Sequence, residues 1–268
     1  MEDPRQPSTS PITARVDMGQ WRQSMAGEAE LSRFEKGGRS FFVIAATHFS
    51  DAAISILEEE IAPEVTDSLE WMFLIEGSQS QAAMRIGGEA RIATDMAVAR
   101  GIPVFDPIFD TYDRNVIEYL LQTSGRGLDR GVVFATRGLA IQQLFQDGAH
   151  GRLSQAQLDE KAARHWKMTP SEFKSYFKKS AQIVRTDEQR VRADSRRTNE
   201  LILGAANMVC AQVLDYYLRQ NPQSNKVLMY IGRLHREMLD IDLGSLAKEE
   251  RLSDDKIKKM VSDRDRLG

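Results

Sequence analysis

Four short apolar runs decide what this chain can fold into: residues 41–46, 71–75, 102–105 and 226–231. Each is too short for a buried helix and too continuously apolar for a strand with one wet face. Each therefore reads as a strand covered on both sides. Helical patterns separate the first three. Ser50-Asp51 makes an N-cap, after which Ile54, Leu57 and Ile61 fall on one helix face. Residues 79–100 carry Ala83, Ile86, Ala90, Ala93 and Ala97 at three- and four-residue steps, a stripe of small residues suited to lying close on a sheet, and Gly101 ends that helix. Strand–helix–strand–helix–strand is the α/β pattern, with a central, mostly parallel sheet and flanking helices.

The rest of the chain sorts around that core. Residues 1–38 read as a flexible lead-in with one helix near 18–34. Residues 113–184 read as a helical insertion in the middle of an α/β domain spanning 39–245, with breaks at 125–127, 148–151 and Thr169-Pro170. A long helix is expected from 187 to 219, where Leu201, Ala205, Met208, Val209, Val213 and Tyr216 keep helical spacing and Asn221-Pro222 stops it. Residues 246–268 read as a charged C-terminal helix. Residues 1–23 are polar, hold Pro4, Pro7 and Pro11, and lack the apolar stretch of a signal peptide. No uninterrupted run of about 18 apolar residues occurs, so no membrane span is expected. With Cys210 as the one cysteine, a soluble protein of the reducing cytoplasm is the simplest reading. Lys and Arg number 36 against 39 Asp and Glu, and the net charge of −3 argues against the whole molecule gripping nucleic acid.

Chemistry enters at the strand ends. Of the four histidines, His48 and His235 share one context: an apolar strand, a small residue, two further residues, then His. Glu76 and Asp106 directly follow the second and third strands. In open α/β sheets ligands bind beyond the carboxyl ends of the strands. One sheet edge would thus present His48, Glu76, Asp106 and His235 together, a set suited to a divalent metal (Mn, Fe, Co or Zn) or to general acid–base work. The competing reading is that each group merely caps a strand end or a neighbouring helix.

At these residues the chain resembles the TIKI superfamily, which includes the TraB/PrgY proteins, the TIKI metalloproteases and the erythromycin esterase/ChaN group. The first GxxH motif corresponds to Ala45-Ala46-Thr47-His48, with alanine in place of glycine. The Glu after the next strand corresponds to Glu76, with Arg85 following at TraB-like spacing, and the second motif is intact as Gly232-Arg233-Leu234-His235. Arg196, Arg197 and Asn199 are candidates for the Arg/Asn element that opens the late long helix. The resemblance covers residues 40–105 and 190–240. It implies two related halves sharing one site of His48, Glu76 and His235, beside which the strand-end position of Asp106 makes it a further candidate metal ligand. It also implies metal-dependent hydrolysis (Mn, Co or Zn) of an ester or amide bond in a small molecule or peptide. Arg85, Arg197 and Asn199 would then position the substrate. Regulatory and haem-binding members of the superfamily keep a non-catalytic alternative open, with haem or a peptide in the cleft.

Other features carry less. Arg85/Glu89 and Arg91/Asp95 stand four apart, as surface ion pairs do. Arg185, Arg190, Arg192, Arg196 and Arg197 lie among Asp187, Glu188 and Asp194, the pattern of a solvated helix face. Residues 158–180 have the outline of a helix-turn-helix with Lys174, Lys178 and Lys179 on its second helix, which makes DNA binding a third reading. No GxSxG elbow is present, and neither Ser78 nor Ser80 has a histidine partner apparent in the sequence.

Overall fold

The computed structural model describes residues 22–26, 29–46, 51–78, 89–109, 111, 113–123, 133, 137–138, 141–142, 145–146, 151–166, 168–175 and 188–265. The core is a six-stranded sheet. Its strands are β1 (Arg22–Ala26), β2 (Ala29–Lys36), β3 (Arg39–Ala46), β4 (Trp71–Ile75), β5 (Val104–Phe105) and β6 (Lys226–Gly232), in the order β1-β2-β3-β6-β4-β5. The pairings β3–β6, β6–β4 and β4–β5 are parallel, whereas β1–β2 and β2–β3 are antiparallel. All five residues of β4 are buried, as a strand covered on both faces requires. The expected α/β class with a mostly parallel sheet is present.

The N-terminal part departs from the sequence reading. The helix expected near 18–34 is replaced over its described residues by β1 and β2, so residues 22–26 and 29–36 belong to the sheet rather than to a lead-in. The reason is the Gly37-Gly38 turn. Both glycines have positive φ (57° and 75°) and Lys36 pairs with Arg39. That is a two-residue hairpin of the type whose twist matches the flanking strands. Once β3 is fixed in the core, the hairpin hands β2 to its free edge.

Each face of the sheet is covered. On one side Leu31, Phe42, Ile44, Trp71, Phe73, Leu228 and Tyr230 pack with Ala53, Ile56, Leu57, Ile61, Ala93 and Ala97. The latter come from α1 (Asp51–Ser55), its π-helical continuation Ile56–Ile61, and α2 (Glu89–Ala99). Ala90, Ala93 and Ala97 are thus the described part of the small-residue stripe, and 79–88 lie outside the described residues. Other contacts bring in the C-terminal elements. Phe105 stacks on Tyr217, the Arg39 guanidinium donates to Leu218 O at 2.8 Å, and Phe34 stacks on Phe41. A 3-10 segment, Arg233–Asp240, runs along β2: Arg236 pairs with Glu30 at 2.7 Å and Lys36 Nζ donates to Leu239 O at 2.6 Å. Burial holds the Lys36 ammonium below its ordinary pKa, against the raising effect of Asp240 and Asp242.

By compactness the chain divides into unit 1 (residues 1–108, 210–266 and 268) and unit 2 (residues 109–209 and 267). Unit 2 contains α3 (Arg114–Thr123) and α4 (Gln155–His165), and α4 opens on a Ser154–Gln157 capping box. After α4, Trp166 meets Phe173 edge to face at 5.8 Å, and Glu172 caps the next turn through Thr169 N and Oγ1. Of the expected helix-turn-helix at 158–180, the described residues cover the first helix, the turn and the following residues as far as Ser175. However, Lys178 and Lys179 lie outside the described residues, and Lys174 faces Asp159 at 3.7 Å.

The long helix α5 (Glu188–Gln220) belongs to unit 2 up to Val209 and to unit 1 from Cys210. Its stretch Thr198–Gln220 is long and apolar enough to cross a membrane by length and composition, and 72% of it is buried inside the molecule. A search for unbroken apolar runs passes over it because Asn207, Gln212 and Asp215 interrupt the run. The C-terminal α6 (Asp254–Asp265) begins at Asp254 rather than at the expected 246, and 266–268 lie outside the described residues. It is docked by Ile257 and Met260, which are buried, and by Arg219, whose guanidinium grips both Asp254 oxygens (2.9 and 3.1 Å) as well as Asp215.

Candidate functional site at the strand ends

Because β3, β6, β4 and β5 are adjacent and parallel, their carboxyl ends share one edge of the sheet. The two strands that lead into the histidine motifs are hydrogen-bonded neighbours, with Ala46 opposite Gly232. Glu76 follows β4, on the other side of β6. The sequence alone could place these groups only after strands; the strand order brings the ends together.

The β4 end is closely braced. Glu76 N–H donates to Tyr230 O at 2.9 Å, which extends the β6–β4 ladder by one rung. Gly77 then turns the chain with φ 78°, and its N–H donates to Asp106 Oδ2 at 2.9 Å. The other oxygen, Asp106 Oδ1, accepts from Ile108 N at 3.0 Å. The buried Asp106 thus joins the turn after β4 to the chain after β5. Across the sheet, Glu76 Oε2 accepts from Gly232 N at 2.5 Å. Charge-assisted bonds of this kind are about twice as strong as neutral ones. The contact is close on the glycine: a Cβ at position 232 would lie 3.2 Å from Glu76 Oε2, so the carboxylate would have to give way by a few tenths of an ångström. Gly232 keeps an ordinary φ of −63°, so the demand is one of space rather than backbone angle.

His235 lies on the 3-10 segment three residues beyond Gly232 and is buried. His48 comes two residues after Ala46 and lies outside the described residues, as does Arg85. The backbone of Arg197 is part of α5, whereas its side chain is outside the description; that of Arg196 is too. Asn199 belongs to unit 2, where its Oδ1 accepts from the buried Arg137 at 2.5 Å. No local pattern singles out Arg137, whose partner is 62 residues away. Arg91 and Asp95 form an exposed pair at 3.5 Å.

For a metal ion, the donors suit a divalent cation in kind, since imidazole and carboxylate are its usual ligands. Asp106 is the weakest of them, with each oxygen already accepting a backbone N–H. Among the described residues no three His, Cys, Asp or Glu side chains are grouped to hold a metal. A three-ligand site would therefore draw on residues outside the described ones, among which is His48.

Comparison of the chain with protein-family models, with curated proteins and with solved structures finds no match.

Proposed function

We propose that the strand-end edge is a hydrolytic site acting on an ester or amide bond of a small molecule or peptide, with His48, Glu76 and His235 as its working groups. One observation carries the reading. The strands that lead into the two histidine motifs are parallel neighbours, and the Glu76 carboxylate from the next strand is bound to the glycine of the second motif. Glu76 is the general base in this reading. Its fixed orientation favours proton transfer at the oxygen not committed to Gly232. The two imidazoles supply the second basic or ligating positions. Asp106 holds the turn that carries Glu76, a positioning role in place of the ligand role its sequence position suggests. Arg85 is proposed as a substrate contact.

Should a divalent cation bind, His48, Glu76 and His235 would hold it, and it would lower the pKa of a water at that position. Glu76→Gln and His48→Ala are expected to abolish hydrolysis of p-nitrophenyl esters or peptide p-nitroanilides while leaving the circular dichroism spectrum unchanged. Full turnover in both variants would refute the reading. The backbone bonds made by both carboxylates support a second reading, in which the acids brace a cleft that binds a ligand such as haem or a peptide without turnover. An absorbance scan for haem, elemental analysis of the purified protein and absence of turnover would together favour it.

A further inference from the structure

His235 is buried on the 3-10 segment Arg233–Asp240, a run of eight residues. Such helices rarely exceed three or four residues, because their hydrogen bonds are poorly aligned, so a longer one is held by what it lies against. Met238 and Leu239 are buried along with His235. Apolar burial is non-directional, however, and fixes no position along a strand. Two charged contacts do. Arg236 Nη1 donates to Glu30 Oε1 at 2.7 Å, and Lys36 Nζ donates to Leu239 O at 2.6 Å. Glu30 and Lys36 stand about 20 Å apart along β2, whereas Arg236 and Leu239 stand about 6 Å apart along a 3-10 helix. The two ties therefore pull outward in opposite directions, and the segment cannot slide along β2 without stretching one of them. Ser32 Oγ also donates to Glu30 Oε1, at 3.3 Å. The Glu30 side chain is 13% exposed and Lys36 6%, so solvent screens these contacts weakly.

We infer that Glu30, Arg236 and Lys36 are positioning residues for His235, holding its imidazole at one place beyond the end of β6. His235 sits between the strand end, where Gly232 N is bound to Glu76, and the first tie at the adjoining Arg236. The second tie follows at Leu239. Every group in this arrangement lies in unit 1. Ion pairs taken out of water add little net stability, and apolar residues in their place often stabilise as well or better. What charges supply is direction, which a segment resting on apolar contacts otherwise lacks. The placement of His235 follows from these contacts alone; its effect on turnover rests on the hydrolytic reading above.

The test reads the histidine ring signals of the full chain by NMR; the chain has four histidines, and His235→Asn assigns the one in question. Glu30→Gln, Arg236→Gln and Lys36→Met are compared with the charge-reversed pair Glu30→Arg/Arg236→Glu. Each single variant is expected to shift and broaden the His235 signals while the other histidines keep theirs, and the reversed pair to move them back toward wild type. Under the hydrolytic reading, kcat toward p-nitrophenyl acetate falls by up to about 100-fold in the same single variants, with KM little changed. His235 signals unmoved in Glu30→Gln and Arg236→Gln overturn the inference, and signals unmoved in Lys36→Met alone strike Lys36 from it. Signals of all the histidines moving together overturn it too, since the contacts then hold the fold at large. A reversed pair as displaced as the single variants does the same, because the two charges then act separately. Displaced His235 signals with kcat unchanged uphold the positioning and count against His235 as a working group. Wild type inert toward the ester counts against the hydrolytic reading, and the NMR comparison still decides the inference.

Discussion

The two strand ends that lead into the histidine motifs look alike in sequence and differ in what surrounds them. Ala46 and Gly232 face each other in register at the ends of β3 and β6. At the β6 end the Glu76 carboxylate crowds the space a Cβ would enter, 3.2 Å away, and glycine leaves its bond undisturbed. At the β3 end Ala45 and Ala46 are accommodated as ordinary buried strand residues. A glycine in a repeated motif can thus serve a neighbour's side chain rather than its own backbone. Where the neighbour is absent, alanine is the better residue, since it loses less conformational freedom on folding.

The comparison can be broken first at Glu76. Glu76→Gln keeps the shape and an acceptor for Gly232 N–H while removing the charge. Turnover is expected to fall at least about 100-fold, with a melting temperature close to wild type. A large loss of stability with turnover retained would make Glu76 a brace alone. Next comes the glycine. Gly232→Ala places a methyl against Glu76 Oε2 and should cost about 1–2 kcal/mol by breaking that bond, read as a lower midpoint in urea. Ala46→Gly should cost less, about 0.5–1 kcal/mol. Equal losses at the two positions would erase the asymmetry between the strand ends.

The smallest effect concerns the docking of α6. The hydrogen-bonded Arg219 guanidinium holds the Asp254 carboxyl below its ordinary pKa, with partial burial opposing and Lys258 assisting. A carboxyl depressed in the folded state stabilises above its unfolded pKa, and that contribution is lost as pH falls through the folded value. The melting difference between wild type and Asp254→Asn should therefore be present at pH 7 and fade as the pH falls below the ordinary carboxyl range. Since the pair is largely solvent-exposed, the difference should be small. A difference that grows on acidification would contradict the assignment.

What the sequence disclosed follows from how local each signal was. β4 was readable to the residue because five consecutive apolar side chains must be buried on both faces. β5 begins later than its apolar run because Pro103 has no N–H; it joins the ladder by its carbonyl, which accepts from Phe73 N. β1 and β2 escaped because β2 carries Glu30 and Lys36 among its apolar residues. Their partners, Arg236 and Leu239 O, lie more than 200 residues away. The legible clue there was Gly37-Gly38, a hairpin signal that outweighs an indistinct helical pattern. At the site, Glu76, Asp106 and Gly232 could each be picked out by position, but the bond between Glu76 and Gly232 spans 156 residues and depends on β6 lying between β3 and β4. No spacing in the chain encodes that order.

The central claim is that His48 and Glu76 work in one site across β6. A double-mutant cycle on turnover, comparing His48→Ala, Glu76→Gln and the double variant, tests it most directly. Groups that act as one unit give a double variant about as slow as the slower single variant. Losses that multiply, or a single variant as fast as wild type, would contradict a shared site.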